Sequence, residues 1–407
     1  MKRSHTSSRR VGAGAVWACL AILVLAACGQ GSSQSNSSSS SGPIIIGRAV
    51  AATGFMAAYD GPPDIGLQLW ANQINNSGGL LGRKIKLVAA DTKTDINFGA
   101  TAADTVLDEG ANILIASCDF DYGGPAALEA QKRGILAFSY CAGSLKFGPQ
   151  GIGPLAFTMG DPAPNYGGVM GQWAATDKGW KTTYILEDPT VDFEKQEVEG
   201  FRQVFKKNGG SEAGFDTFQQ TDQSIAAQLT RLKSVTPQPD FIYLASYGAG
   251  QDSALRQIRA AGLTLPVLSD GGFDGEVWKK AVPNVSNLYF DTYASIYGDD
   301  PRSGVNDFYK SYKDLTGTLP ANSYPILGWA IGDCLKAAIT RSNGTKGSDL
   351  QAQLEKFKGE PTIAGPITFT SQLHGDLYRE MAIMQVQNGT TTFIKVLKPS
   401  YVPIVQT

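Results

Sequence analysis

Residues 112–139 read NILIASCDFDYGGPAALEAQKRGILAFS, which is an apolar run, a helix-forming segment and a second apolar run. The pattern predicts a strand over Asn112–Ser117, a helix over Pro125–Arg133 that ends at Gly134, and a strand over Ile135–Ser139. Two strands that are joined by a helix lie parallel in one sheet. This stretch therefore indicates an α/β fold.

The same alternation extends outward on both sides of this stretch. Towards the N-terminus, a strand over Ile44–Val50 precedes a helix that opens at Pro62-Pro63, and a strand over Lys84–Ala90 follows. After a Gly/Pro-rich stretch at 148–164 the alternation restarts, with strands predicted over Lys181–Glu187, Ala213–Phe218, Phe241–Ala245, Leu265–Ser269 and Asn287–Tyr293. We therefore expect two parallel sheets, each flanked by helices.

The last hundred residues follow a different pattern. Helices are predicted over Val305–Thr316 and Pro325–Arg341, and short strands over Ile367–Thr370, Glu380–Val386 and Thr391–Leu397. Asn388-Gly389 separates the last two strands and is typical of a two-residue hairpin turn.

The first residues have the features of a secretory signal. Four basic residues precede an apolar run over Val11–Ala27, and Leu25-Ala26-Ala27-Cys28 resembles a bacterial lipoprotein signal. The resemblance implies cleavage before Cys28 and lipid attachment to its sulfur, so residues 1–27 are expected to be removed. Residues 28–43, rich in Ser and Gly, are then a flexible tether. The alternative is an uncleaved membrane anchor, because about 17 apolar residues can just span a bilayer.

Composition excludes several classes of protein. Hydrophobic residues make up 42% of the 407, which is enough for sizeable cores. Without the four basic residues of the signal, 31 basic residues stand against 37 acidic ones, a net charge of −6. We therefore expect no nucleic-acid partner, since such proteins carry a basic face.

Motifs for catalysis are missing from the sequence. It contains no phosphate-binding loop, no His-Glu-x-x-His zinc pair and no Gly-x-Ser-x-Gly nucleophile elbow. His374 is the one histidine after the signal, and its polar surroundings favour an exposed turn. We expect no enzyme activity, no cofactor and no metal site.

The candidate site lies in loops after strands, because ligands of open parallel sheets bind at the carboxyl ends of the strands. One loop, Ser117–Gly124, contains Cys118, Asp119, Phe120 and Asp121; the other is Ser139–Ser144. The alternatives are that the acids only cap a helix and that the second loop is an ordinary strand exit.

Since the two strands are expected to be neighbours, Cys118 and Cys141 are within disulfide range. Cys334 lies in an apolar helical pattern and is expected to be a buried thiol.

A series of motifs along the chain resembles one family. It comprises Ile44–Gly47, Asn75–Lys84 (NNSGGLLGRK), Asp240–Tyr243, Leu255–Leu263 (LRQIRAAGL), Gly365–Phe369 and Gly375-Asp376. In order and spacing these are similar to the leucine/isoleucine/valine-binding protein family, the type I periplasmic binding proteins of ABC importers. The resemblance covers about Ile44–Val396.

The resemblance implies two lobes that are joined by three crossovers and close over a ligand. The N-lobe is expected over 44–162 and 294–371, and the C-lobe over 163–293 and 372–407. The resemblance implies an extracytoplasmic monomer. Its implied partners are a small molecule, an ABC permease and, through Cys28, the membrane. The implied ligand-binding residues are Tyr59, Cys118, Asp119, Phe120, Asp121, Cys141, Ala142, Gly143, Ser144, Asp192 or its neighbour Phe193, Tyr247, Asp270 and Gly271.

The sequence departs from the family at the ligand. The first loop of the family is small and rich in Ser and Thr, whereas here it is acidic and aromatic. The departure favours a ligand with amine or hydroxyl groups, which includes amino acids, amines and polyols. Two alternative functions remain at this point, a sensor that reports to a membrane receptor and a secreted α/β hydrolase.

Overall fold

A computed structural model describes residues 42–405, and its core is built on two sheets. The first sheet has five parallel strands in the order β2-β1-β3-β4-β5. They are β1 (Ile44–Val50), β2 (Ile85–Asp91), β3 (Ile113–Ala116), β4 (Leu136–Ser139) and β5 (Ala156–Thr158). Every residue of β3 and β4 is buried, as expected for strands that are covered by helices on both faces.

The second sheet has seven strands in the order β12-β11-β10-β9-β8-β6-β7. They are β6 (Thr182–Glu187), β7 (Ser211–Thr217), β8 (Phe241–Ala245), β9 (Val267–Ser269), β10 (Leu288–Thr292), β11 (Met381–Gln387) and β12 (Thr390–Leu397). Strands β6–β10 are parallel, and β11 and β12 add an antiparallel hairpin to β10. Asn388 and Gly389 form its turn with φ of 52° and 71°, which confirms the predicted hairpin.

Within residues 42–405, ten α-helices cover the sheets. They are α1 (Ala57–Asn76), α2 (Gly99–Asp108), α3 (Phe120–Lys132), α4 (Ala163–Thr176), α5 (Asp192–Lys207), α6 (Ala226–Ser234), α7 (Gly248–Ala260), α8 (Val305–Thr316), α9 (Pro325–Ser342) and α10 (Gly347–Leu354). No helix among residues 42–405 combines the length and the apolar character needed to cross a membrane. The predicted signal, Cys28 and all but the end of the tether lie outside the described residues.

The chain passes between the two sheets three times. It leaves the first sheet after β5 and returns after β10, because α9 packs on α1 and α10 packs on β4. It passes back before β11, which pairs with β10. These passages accommodate the C-terminal segments, which the sequence pattern alone leaves without a partner.

Two helices begin earlier than the sequence predicts. Helix α1 begins at Ala57 and contains Pro62 and Pro63, and α3 begins at Phe120 and contains Pro125. A proline in a helix leaves the carbonyl four residues earlier without its usual donor. In α1 this carbonyl belongs to Ala58, and it accepts a hydrogen bond of 3.1 Å from Asn322 Nδ2. Tertiary contacts therefore extend the helix past its prolines.

Two further sequence predictions were wrong, and one strand was not predicted. Residues 367–370 form no strand; Ile367 makes one isolated bridge, to Glu360. Strand β5 lies inside the Gly/Pro-rich stretch, where the sequence analysis placed no element. His374 is buried, not exposed, because its ring stacks on Phe157 at 3.7 Å and its Nδ1 lies 2.8 Å from the Ala156 carbonyl. Cys334 is a buried free thiol, as predicted.

Candidate functional site

A cavity with an empty volume of about 420 Å³, which includes space open to solvent, lies between the carboxyl ends of the two sheets. Its walls come from residues that follow β1, β3, β4, β8, β9 and β10, from α1, α4 and α5, and from the start of α9. They are Met56, Tyr59, Cys118, Asp119, Cys141, Tyr166, Phe193, Tyr247, Asp270, Gly271, Gly272, Tyr293 and Tyr324. Ligands of open parallel sheets bind at such strand ends.

One buried carboxylate holds the first-sheet wall in place. Asp60 of α1 accepts hydrogen bonds from the Ala51 amide at 2.7 Å, the Ser117 hydroxyl at 2.6 Å and the Cys118 amide at 2.7 Å. These bonds connect the ends of β1 and β3 to α1. Burial raises the pKa of Asp60 to about 6, although the three donors oppose the shift.

A disulfide joins Cys118 and Cys141, which follow the neighbouring strands β3 and β4. Their Cα atoms lie 4.4 Å apart, and both residues line the cavity. The disulfide has no O–H or N–H group, so this part of the wall presents sulfur to a ligand and no side-chain donor.

Asp119 both caps a helix and lines the cavity, so the two interpretations of its loop hold together. Its Oδ1 accepts a 2.7 Å hydrogen bond from the amide of Asp121 in the first turn of α3. Its Oδ2 accepts a 3.3 Å bond from the Tyr247 hydroxyl, which comes from the second sheet. Burial, helped by the charge of Asp121, raises the pKa of Asp119 to about 7.

Asp270 is the acid of the second-sheet wall. It follows β9, and its Oδ1 accepts a 2.7 Å bond from the Gly272 amide. Behind it lie Glu194 and Glu197 of α5, and oxygens of the three carboxyl groups are within 4.8 Å of one another. Burial raises the pKa of all three groups, and the charge of Asp270 adds to the shift for Glu194 and Glu197. Such a cluster can share protons or hold a cation.

Six aromatic side chains form a continuous chain of contacts around the cavity. Ring centroids lie 5.7 Å apart for Tyr247–Tyr59, 6.1 Å for Tyr59–Tyr324, 5.3 Å for Tyr324–Tyr293, 6.0 Å for Tyr293–Tyr166 and 5.5 Å for Tyr166–Phe193. Tyr59 and Tyr324 belong to α1 and the start of α9, on the first-sheet side. The chain of rings therefore spans both sides of the cavity.

Seven of the residues predicted from the sequence lie on the cavity wall: Tyr59, Cys118, Asp119, Cys141, Tyr247, Asp270 and Gly271. Phe193 lies there as well, so of the two alternatives in α5 it is Phe193 that faces the cavity. The other predicted residues, which are Phe120, Asp121, Ala142, Gly143, Ser144 and Asp192, do not line it.

Three of these other residues connect the two sides beside the cavity. The Asp192 amide donates to Asp121 Oδ2 at 3.1 Å, and the Asp192 carboxylate accepts a hydrogen bond from the Ser144 hydroxyl. Lys146 pairs with the same carboxylate at 2.7 Å. These contacts bridge α5 and the loops of the first sheet.

Sequence reasoning missed Met56, Tyr166, Gly272, Tyr293 and Tyr324. Tyr293 comes directly after β10, so the rule on carboxyl ends of strands finds it once that strand is included. Tyr166 and Tyr324 lie at the starts of α4 and α9, and no local motif marks them.

A family model described as periplasmic binding protein matches residues 43–391. The Leu/Ile/Val-binding protein homolog 3 of Brucella melitensis is 24% identical over 336 residues, 82% of this chain and 88% of that protein.

Two solved structures are similar in fold. One is the branched-chain amino acid transporter substrate-binding protein LivJ from Streptococcus pneumoniae, in complex with isoleucine. It has a TM-score of 0.77 at 22% identity and covers 88% of this chain and 100% of its own. The other is an ABC transporter solute-binding protein from R. palustris in complex with benzoate. It has a TM-score of 0.74 at 20% identity and covers 89% of this chain and 98% of its own. Both similarities confirm the two-lobed α/β fold, and the chain belongs to the periplasmic binding protein family.

Proposed function

We propose that this protein is the extracytoplasmic, lipid-anchored solute-binding protein of an ABC importer. It captures a small polar ligand of amine, amino-acid or polyol type between two lobes and delivers the ligand to a membrane permease. The observation that carries the proposal is the cavity at the carboxyl ends of both sheets, in a chain of the periplasmic binding protein family.

The lobes proposed are residues 44–162 with 294–371 and residues 163–293 with 372–407. Support comes from the three passages of the chain between the sheets, each close to one of these boundaries. Ligand binding between lobes favours the closed arrangement, since both sides then contact the ligand. The bonds from Tyr247 to Asp119 and from the Gly248 amide to Tyr59 Oη, at 3.3 and 3.0 Å, are contacts of that closed arrangement.

The proposed ligand-binding residues are the cavity-lining Tyr59, Asp119, Tyr247 and Asp270. Carboxylates and phenol hydroxyls recognise amines and hydroxyls by hydrogen bonding. The experiment is isothermal titration of the mature protein with amino acids, amines and polyols. A ligand that binds wild type and is weakened at least tenfold by Tyr247→Ala supports the proposal. Unchanged affinity in both Tyr247→Ala and Asp119→Ala contradicts the assigned site.

The proposed anchor is a lipid on Cys28. The support is the sequence Leu25-Ala26-Ala27-Cys28 after an apolar run, followed by a Ser/Gly-rich segment. Lipid acyl chains hold a protein on a membrane when more than one is attached. We expect intact-mass spectrometry of the protein from the membrane fraction to give a chain that begins at Cys28 and carries lipid. An unmodified chain that still contains residues 1–27 contradicts lipid anchoring and favours an uncleaved span.

A further inference from the structure

The charged side chains that line the cavity all carry the same sign. They are Asp119 and Asp270, which are 6% and 1% exposed, and no Lys, Arg or His is among the residues that form the described walls. Behind Asp270, Glu194 is fully buried, and neither of its carboxylate oxygens has a hydrogen-bond partner within residues 42–405. Buried carboxylates are costly unless a positive charge or a proton compensates them.

Neighbouring basic side chains are occupied elsewhere. Lys146 pairs with Asp192 at 2.7 Å. Arg379 donates to the carbonyls of Met159 at 2.6 Å and Ala364 at 3.2 Å. The compensating charge for Asp119 and Asp270 must therefore come from protons or from a bound molecule.

Part of the wall offers no free side-chain donor to an anionic group. Cys118 and Cys141 form a disulfide and donate nothing. The Tyr247 hydroxyl donates to Asp119, and the Tyr324 hydroxyl donates to the Gly271 carbonyl at 3.1 Å. The side-chain donors left for a ligand carboxylate are the hydroxyls of Tyr59, Tyr166 and Tyr293, and the carboxylate would face two acids and no basic side chain on the described wall.

The remaining wall is aromatic. The chain of six rings, which runs from Tyr247 to Phe193, offers π faces from both sides of the cavity. Aromatic rings attract a cation within about 6 Å, most strongly where water is excluded. Rings and carboxylates thus favour the same charge. A Ca²⁺ or Mg²⁺ ion would instead need six or more oxygen ligands, and the ring carbons supply none.

We propose that the ligand of this cavity is an organic cation without a carboxylate, an alkylammonium or quaternary ammonium compound. Its charged nitrogen lies among the aromatic rings and faces Asp119 and Asp270. This inference rests on the proposed function, since it specifies the ligand class of the same cavity.

The test is isothermal titration and thermal shift of the mature protein with matched pairs of probes. Choline is compared with 3,3-dimethylbutan-1-ol, its neutral carbon isostere, and butylammonium with 1-butanol. Isoleucine, benzoate and Ca²⁺ are titrated separately. We expect at least one cation to bind about 30-fold or more tightly than its neutral partner, which corresponds to a desolvated cation–π contact.

Two variants examine the wall. Asp119→Asn and Phe193→Leu should each weaken binding of the cation at least fivefold and reduce its advantage over the neutral isostere. Asp307→Asn, at an exposed position of α8, is the matched control and should bind as wild type does. Thermal melting of each variant without ligand verifies folding.

The outcomes separate the two proposals. Binding of isoleucine or benzoate without any cation overturns the ligand class and leaves the solute-binding function standing. Binding of Ca²⁺ alone overturns the ligand class in favour of a metal ion. Binding of none of these probes, and of no member of the amino-acid, amine and polyol panel, overturns both proposals.

Discussion

The Tyr247 hydroxyl donates a 3.3 Å hydrogen bond to Asp119 Oδ2, and this bond crosses the cavity from the second sheet to the first. Tyr247 begins α7 after β8, whereas Asp119 begins α3 after β3. Both residues also line the cavity. One hydrogen bond therefore links the two sheets at the wall of the cavity, where we propose that the ligand binds.

Removing this hydroxyl tests that link. Tyr247→Phe keeps the ring and deletes the donor, so ligand affinity should fall about tenfold, the value of one hydrogen bond to a charged group. The pKa of Asp119 should also rise further, because the phenol favours the charged carboxylate. Titration calorimetry measures the affinity at several pH values. Tyr378→Phe, at an exposed position, is the control, and equal affinity in both variants would refute the link.

The disulfide should be detectable by peptide mapping. Digestion without reduction should yield one peptide pair that is linked through Cys118 and Cys141, while Cys334 stays free. The bond closes a loop with a sequence separation of 23, so its loss in Cys118→Ala/Cys141→Ala should cost about 3 kcal/mol of unfolding free energy. Unlinked peptides in the unreduced digest would contradict the pairing.

Asp60 should be a major contributor to stability although it does not line the cavity. Asp60→Ala leaves the Ala51 amide, the Ser117 hydroxyl and the Cys118 amide without their acceptor, which should cost about 3 kcal/mol. Asp60→Asn retains one acceptor oxygen and should cost less. Urea unfolding gives both values. If Asp60→Ala lowers the unfolding free energy by an amount within about 0.5 kcal/mol of that lost in Asp307→Ala, the exposed control, these bonds contribute little to stability.

Stability of the ligand-free protein should fall as pH rises from 4 to 8. Burial raises the pKa of Asp119 to about 7 and that of Asp60 to about 6 from 3.8, so the folded state holds more protons than the unfolded chain in this range. The unfolding free energy then decreases with pH. The groups that face Asp119 are Asp121, which raises its pKa, and Tyr247, which lowers it.

Thermal melting between pH 4 and 8 measures this dependence. The melting temperature of wild type should drop by several degrees across the range, and the drop should be smaller in Asp119→Asn, which does not titrate there. Identical pH profiles in the two proteins would contradict the raised pKa of Asp119. A bound cation should reduce the drop, because it compensates the ionised carboxylate.

Much of the fold follows from local patterns. Strand β1 has the predicted bounds, and the Asn388-Gly389 turn lies where its backbone preference requires. The failures occur where distant residues decide the local structure. Helix α1 continues through Pro62 with the help of Asn322, and His374 is buried by Phe157, which lies more than two hundred positions earlier.

Of the residues in the candidate site, only those at the ends of strands could be predicted from the sequence. Asp119, Cys141 and Tyr247 follow directly from the position of their strands. Tyr166 and Tyr324 come from the starts of α4 and α9, and only the passages of the chain between the sheets bring them to the cavity. No sequence pattern predicts that these two residues come together, so the chain of aromatic rings could be identified only in the structure.

We infer that one small molecule binds between the proposed lobes at the Asp119–Tyr247 wall. Native mass spectrometry of the freshly purified mature protein is the decisive test, with wild type and Tyr247→Ala treated identically. We expect one small molecule for each wild-type chain, either retained through purification or added as a probe. The Tyr247→Ala variant should melt as a folded protein and should be largely empty. Equal occupancy in wild type and in folded Tyr247→Ala, or a wild type that stays empty with every probe, would contradict this inference.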